Sequence, residues 1–185
     1  MSETPEQLAV AFANTVYAVR GRRGDAIDSE EGLLAFVHEH RDALGEPLAS
    51  ADAETVAEVR ELRDAVRALC RAAVDGDGPP AEALALLNET SVAAPVAVTL
   101  DWHAAQRGLR VQQAHSDRAV CTRAQLAAAT AALLGGPLGA ALRACDGPRC
   151  VQYLLQDQPR RSFCSDGCST RARAARYYAR HRGRA

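Results

Sequence analysis

Cys145, Cys150, Cys164 and Cys168 all fall within the last 41 residues of a 185-residue chain. Four residues separate the first pair, three separate the second, and thirteen lie between the pairs. Each pair can close a tight knuckle on one ion, with a short hairpin or loop between them. Four thiolates around a single tetrahedral Zn²⁺ make a closed structural site, so one zinc per chain is expected. The alternatives for these residue types are two disulfides or a redox-reactive thiol set. Directly after the fourth cysteine runs an arginine-rich stretch with helical spacing, and a metal-built knob carrying a basic helix suits a nucleic-acid partner.

Charge divides the chain in the same place. Residues 141–185 hold ten Arg and three Asp, a balance of +7, while residues 1–140 hold 12 Arg and 20 acids, a balance of −8. Four thiolates on one Zn²⁺ leave the tail at about +5. A basic end on an acidic body fits an anionic partner docking at that end. The N-terminus MSETPEQLAV carries acids and no basic leader region, and no apolar run approaches the roughly 18 residues of a membrane helix. A cytoplasmic protein without membrane association is expected, where paired cysteines point to metal. Cys70 and Cys121, remote from the cluster, read as core thiols.

The body reads as helical. Leu8, Phe12, Thr15, Val16 and Val19 form one stripe of a helix over 5–20. Asp28 and Glu31 suggest a capping box for a helix over 29–44 that buries Leu33, Leu34 and Val37 and ends at Gly45-Glu46-Pro47. Val56, Val59, Leu62, Val66, Leu69 and Ala73 repeat every three or four residues and predict a long core helix over 52–74. A shorter helix follows over 80–90. Val96, Val98 and Leu100 then alternate with smaller residues, and with Leu109 and Val111 they predict a hairpin of strands at about 95–102 and 108–113. Helices over 121–134 and 137–144 lead into Cys145. The 39 alanines imply closely packed helices. The fold class is mainly α with a small β-hairpin, ending in a treble-clef-like four-cysteine finger and a basic helix. The division is a regulatory body over 1–140 and the finger over 141–185, closely fused.

On a wheel of the tail, Arg173, Arg176, Arg180 and Arg184 share an arc of about 80°. Ala174, Ala175 and Tyr178 lie on the other side, with Arg171 and Arg182 among them. The arc is a candidate face for phosphates or guanine edges. Arg160 and Arg161 add charge just before Cys164. Arg171 is expected to turn inward to a loop carbonyl or Asp157 and to keep a mixed role. Cys168 is expected at the start of the last helix, capped by Ser165 or Asp166.

The run Arg160-Arg161-Ser162-Phe163-Cys164-Ser165, followed by Cys168-Ser169-Thr170-Arg171, resembles the zinc finger of bacterial CGNR-type proteins. Cys168 and Arg171 match that signature, and Ser169 and Thr170 stand where it has Gly and Asn. Phe12-Ala13-Asn14-Thr15-Val16, Arg20 and Asp25, before a Leu-rich helix, look like the opening of the ABATE domain that precedes this finger. The resemblance implies a zinc-dependent transcription regulator with DNA as partner, a body that senses an unknown small-molecule effector or forms a homodimer, and DNA contacts among Arg160, Arg161, Arg171, Arg173, Arg176, Arg180, Arg182 and Arg184. The rival readings are a protein-interaction zinc module and a thiol redox sensor. No HExxH, Walker, GxSxG or Rossmann pattern occurs in the sequence, so no enzyme is expected. Asn14, Thr15 and His103 read as structural.

Overall fold

The computed structural model describes residues 3–19, 22–46, 48–103, 106–113, 115–156 and 158–181, the side chains at 19, 96–99 and 101–113 apart. The chain runs α1 (Pro5–Ala13), β1 (Val16–Val19), β2 (Arg22–Asp25), α2 (Glu30–Glu39), α3 (Arg41–Leu44), α4 (Ala53–Asp75), α5 (Ala81–Val92), β3 (Val96–His103), β4 (Gln106–Gln113), α6 (Arg118–Gly135), a 3-10 turn (Gly139–Ala141), β5 (Leu142–Ala144), β6 (Tyr153–Leu155) and α7 (Asp166–His181). Helices dominate. The strands among the described residues form three antiparallel pairs, β1–β2, β3–β4 and β5–β6, where one hairpin is expected from sequence. No helix of the described residues is long and apolar enough to cross a membrane.

Local chemistry sets most boundaries. Thr4 and Gln7 form a reciprocal capping box at the start of α1, with Pro5 in its first turn. Asp52 accepts from Thr55 N at 2.8 Å to start α4, and left-handed Gly76 (φ 75°) stops it. α4 buries Val56, Val59, Leu62, Val66 and Leu69 as its spacing predicts; Ala72 is buried in place of Ala73. β3 and β4 pair with Val98 opposite Val111 and Leu100 opposite Leu109.

Four expectations are corrected. α1 stops at Ala13, not at 20. Asn14 caps it, Thr15 Oγ1 donates to Phe12 O at 2.9 Å, and Val16 and Tyr17 enter a strand paired with Gly24 and Asp25. Short polar side chains compete with helical bonds, and β-branched and aromatic residues favour the pleated pair. Ser29, not Asp28, caps α2, its Oγ accepting from Gly32 N at 3.2 Å, and the segment over 29–44 breaks at His40 into two helices. The predicted helix over 137–144 is a 3-10 turn followed by β5, because Leu142, Arg143 and Ala144 pair with Leu155, Leu154 and Tyr153. Pro47 and Arg20 lie outside the described residues, as do the side chains of Trp102 and His103.

One core unites body and finger. α1 packs on α6 and α4, and α4, α5 and α6 pack on one another. Leu8, Phe12, Leu33, Val37, Leu62, Val66, Leu126 and Leu133 share a cluster with Leu142 and Tyr153 of the C-terminal hairpin. Inside the body, Arg63 is only 2% exposed, and it grips Asp25 with Nη1 and Nη2 at 2.7 and 2.9 Å. Its Nε donates to Asp64 at 2.8 Å and its Nη1 to Thr15 Oγ1 at 3.3 Å. Burial works against the Asp25 carboxylate, but the hydrogen bond and charge of Arg63 outweigh it and hold its pKa below the usual value.

Candidate metal centre

The hairpin β5–β6 has two faces, because successive strand residues point to opposite sides. Leu142 and Tyr153 enter the body core, while Leu154 joins Cys145, Cys168, Cys150, Phe163 and Cys164 in a second cluster. Cys145 and Cys150 come from the turn that joins the two strands. Cys150 N donates to Gly147 O at 2.9 Å, and Arg149 takes a left-handed φ of 60°. Gly147 lies against the second pair. A Cβ there would come within 2.8 Å of Cys168 Cβ and 3.0 Å of its Sγ, so no larger residue fits. Cys164 precedes α7 and Cys168 sits in its first turn. Ser165 Oγ accepts from Cys168 N at 3.3 Å, the cap expected from sequence. Asp146 N donates to Ser162 O at 2.9 Å and ties the two knuckles together.

The four sulfurs lie within 4.8 Å of one another. Cys150 to Cys164, Cys168 to Cys150 and Cys164 to Cys168 measure 3.7, 3.7 and 3.4 Å. A tetrahedron with zinc–sulfur bonds of about 2.3 Å has edges of about 3.8 Å. The cluster therefore has the size and the donor set of a closed zinc site, and the second pair arrives from a helix N-terminus, as in a treble clef. Burial raises the Cys150 and Cys164 thiols above the ordinary value, whereas the hydrogen bond of Ser165 and those of the neighbouring cysteines bring Cys168 below it despite its burial. Four thiols packed this closely do not ionise together without a cation to balance them.

The surroundings complete the site. Cys145 Sγ accepts from Gly147 N at 3.4 Å and from Cys164 N at 3.3 Å. Arg171 turns inward: its Nη2 donates to Cys168 Sγ at 2.9 Å, a partner not foreseen in the sequence. Asp157, the partner considered for it, lies outside the described residues, as do Arg182 and Arg184. Arg160 and Arg161 stand exposed on the loop before Cys164. Beyond Ala172 every described residue of α7 is exposed, Arg173, Arg176 and Arg180 included; Arg176 Nε also donates to Ala172 O at 3.3 Å. Tyr177 stacks on His181 with ring centroids 4.1 Å apart.

Three residues bolt this centre to the body, and of these only Asn14 is read from the sequence as structural. Asn14 Nδ2 donates to Tyr153 O at 2.9 Å, and Asn14 Oδ1 accepts from Tyr153 N at 2.7 Å. Arg67 donates to Ala13 O, and to Val151 O at 2.7 Å, with its guanidinium 5.5 Å from the Tyr153 ring centroid. Tyr153 Oη returns a bond to Arg67 O at 3.2 Å. The visible signal is the pair Arg63 and Arg67, one turn apart beside the apolar stripe of α4. Cys70 and Cys121 are fully buried in the body, and burial pushes the Cys70 thiol up to about 12.

No curated protein matches the chain. Two family profiles do: residues 6–137 match ABATE, described as "Putative stress-induced transcription regulator", and residues 141–181 match the CGNR zinc finger. Neither is an enzyme family. With the cysteine tetrad and its flanking hairpin and helix in place, the chain belongs to the ABATE family and carries a C-terminal CGNR zinc finger.

Proposed function

We propose that this is a zinc-dependent, DNA-binding transcription regulator, in which residues 1–140 form a body that senses a small-molecule effector or joins two copies, and residues 141–185 contact DNA. One observation carries the reading. α7 carries the ligand Cys168 in its first turn, which fixes its direction, and from Arg173 onward it is exposed, with Arg173, Arg176 and Arg180 in one arc. A helix held rigidly at one end can present such an arc to a groove, where guanidinium forks suit phosphates and guanine edges. Arg160 and Arg161 extend the positive surface along the loop before Cys164 and brace neighbouring phosphates. Zinc, when bound, supplies the cross-link that orients the knuckles and the helix; the contacts belong to the arginines.

Tyr177 and Tyr178 are 53% and 65% exposed on the same helix, and this favours a second reading. Exposed aromatics beside arginines are also the composition of a protein-binding hot spot. Salt separates the two. Arg173→Ala, Arg176→Ala and Arg180→Ala together are expected to weaken binding to all duplex sequences and to flatten the slope of log K against log salt by about 0.9 per lost phosphate contact. Unchanged DNA affinity in the triple variant, with zinc retained, favours the protein partner.

A further inference from the structure

The four ligand sulfurs differ in what protects them. Cys145 Sγ has two backbone N–H donors, Cys168 Sγ has the Arg171 guanidinium, and Cys150 accepts the backbone N–H of Gln152. Among the described residues no N–H donates to Cys164 Sγ. In the thiol form Cys164 Sγ itself donates, to Gln152 Oε1 at 3.1 Å and more distantly to Ser165 Oγ at 4.0 Å. On its other side the same amide donates from Nε2 to Asn14 O at 3.5 Å. In a zinc site all four sulfurs are thiolates, so their reactivity is ranked by nucleophilicity and access and not by ionisation. Donors that stabilise a thiolate make it a weaker nucleophile. Among the described residues, Cys164 has the fewest.

Access separates Cys150 and Cys164 from the other two. Cys145 and Cys168 are buried, at 8% and 3% exposure, while Cys150 and Cys164 are half-buried. Cys164 also opens on two clefts. One, of about 520 Å³, runs between α1 and β6 past Val10, Asn14, Gln152 and Leu155. The other, of about 680 Å³, is bordered by Arg160, Arg161, Ser165 and Ser169.

We propose that Cys164 is a modification site, the zinc ligand that peroxides and soft electrophiles attack first, and that Cys150 closes a disulfide onto it. With hydrogen peroxide, the Cys164 thiolate attacks one oxygen. The S–O bond forms as the O–O bond breaks, leaving a sulfenic acid and hydroxide. The half-buried Cys150 thiolate, 3.7 Å away, then attacks the sulfenic sulfur; Cys168 is nearer, at 3.4 Å, but it is buried and held by the Arg171 guanidinium. The S–S bond forms, the S–O bond breaks, and a second hydroxide departs. Two thiolates have lost two electrons, and the peroxide with two solvent protons has become two waters. The disulfide removes two of the four thiolates that hold the ion, and with them the anchor of α7. The inference rests on the zinc centre and is independent of the DNA reading.

The test uses the full-length, zinc-loaded chain and reads modification directly. With less than one equivalent of N-ethylmaleimide, peptide mapping is expected to find Cys164 labelled about tenfold ahead of the other three ligands. Buried Cys70 and Cys121 serve as unreactive references. Hydrogen peroxide is expected to yield a Cys150–Cys164 cross-linked peptide together with one zinc per chain passed to a chromogenic chelator. Label spread over all four ligands, label only after the metal is chelated away, or a disulfide between any other pair overturns the proposal. None of these outcomes depends on whether the protein binds DNA.

Discussion

Two residues three positions apart on a helix lie side by side. Arg171 stands so to Cys168, and its guanidinium reaches Sγ at 2.9 Å. Its place on the wheel, away from the arc of Arg173, Arg176 and Arg180, predicts the inward turn. The sulfur as partner follows from Cys168 lying in the first turn, with its side chain aimed at the other knuckle. A guanidinium offers several N–H groups in a plane, so one can meet the thiolate while others stay free for solvent or phosphate. An ammonium keeps the charge and loses that geometry. Arg171→Lys is therefore expected to cut zinc affinity about tenfold, the common cost of removing a partner that orients a ligand. Competition with a chelator checks it. If zinc affinity holds while DNA affinity falls, Arg171 is a DNA contact and the sulfur bond is incidental.

None of Val16, Tyr17 and Ala18 of β1 is buried in the core, and Arg22 and Arg23 of β2 are exposed. Its anchor is Asp25 at the end of β2, held by Arg63 from α4 at 2.7 and 2.9 Å and by Arg60 at 3.1 Å. Taking the charge from one partner strands a guanidinium that is 2% exposed. Asp25→Asn is expected to cost about 3 kcal/mol, because a buried charge loses its two-pronged counter-ion and keeps only the exposed Asp64. The pH dependence follows from the lowered pKa of Asp25. Its contribution is complete above the unfolded value near pH 4 and is lost as pH falls through the lower folded value. Urea unfolding at pH 7 and pH 3 checks both statements: the wild type loses part of the Asp25 share on acidification, and the variant has none to lose. Equal midpoints at pH 7 would show that Asp64 alone satisfies Arg63.

At the scale of the whole molecule, finger and body share structure instead of being strung together. Leu142 and Tyr153 sit in the body core, and Asn14 pairs with both backbone groups of Tyr153. Gln152 carries the connection onward, with Asn14 O on one side of its amide and Cys164 Sγ on the other. Loss of metal is therefore felt by the helices. In the wild type, chelation is expected to lower the melting temperature of the body while most of its helical signal remains at 25 °C. Asn14→Ala removes two bonds and leaves a strand N–H and C=O without partners, at about 1–3 kcal/mol. In that variant the metal-dependent shift shrinks, because the finger loosens from the core. Calorimetry with and without chelator checks it; an identical shift in variant and wild type would mean that Leu142 and Tyr153 carry the coupling alone.

The features legible in the sequence are those that neighbours in the chain create. The four cysteines announce their ion through spacing, α4 shows itself in a three-to-four period, and β3–β4 in an alternation whose observed strands, 96–103 and 106–113, lie within two residues of expectation. The basic stripe of α7 is visible for the same reason. What only tertiary structure decided are the features whose partners lie far along the chain. Leu142 to Ala144 look helical until β6 offers a strand to pair with. The stripe over 5–20 reads as one helix until Asp25 draws the chain back to Arg63, 38 residues on. Asn14 reads as structural, but its partner is unknown until Tyr153, 139 residues away, presents its backbone. Period and spacing are local properties, whereas the pairing of buried polar groups is settled only when the core closes and each must find a partner away from water.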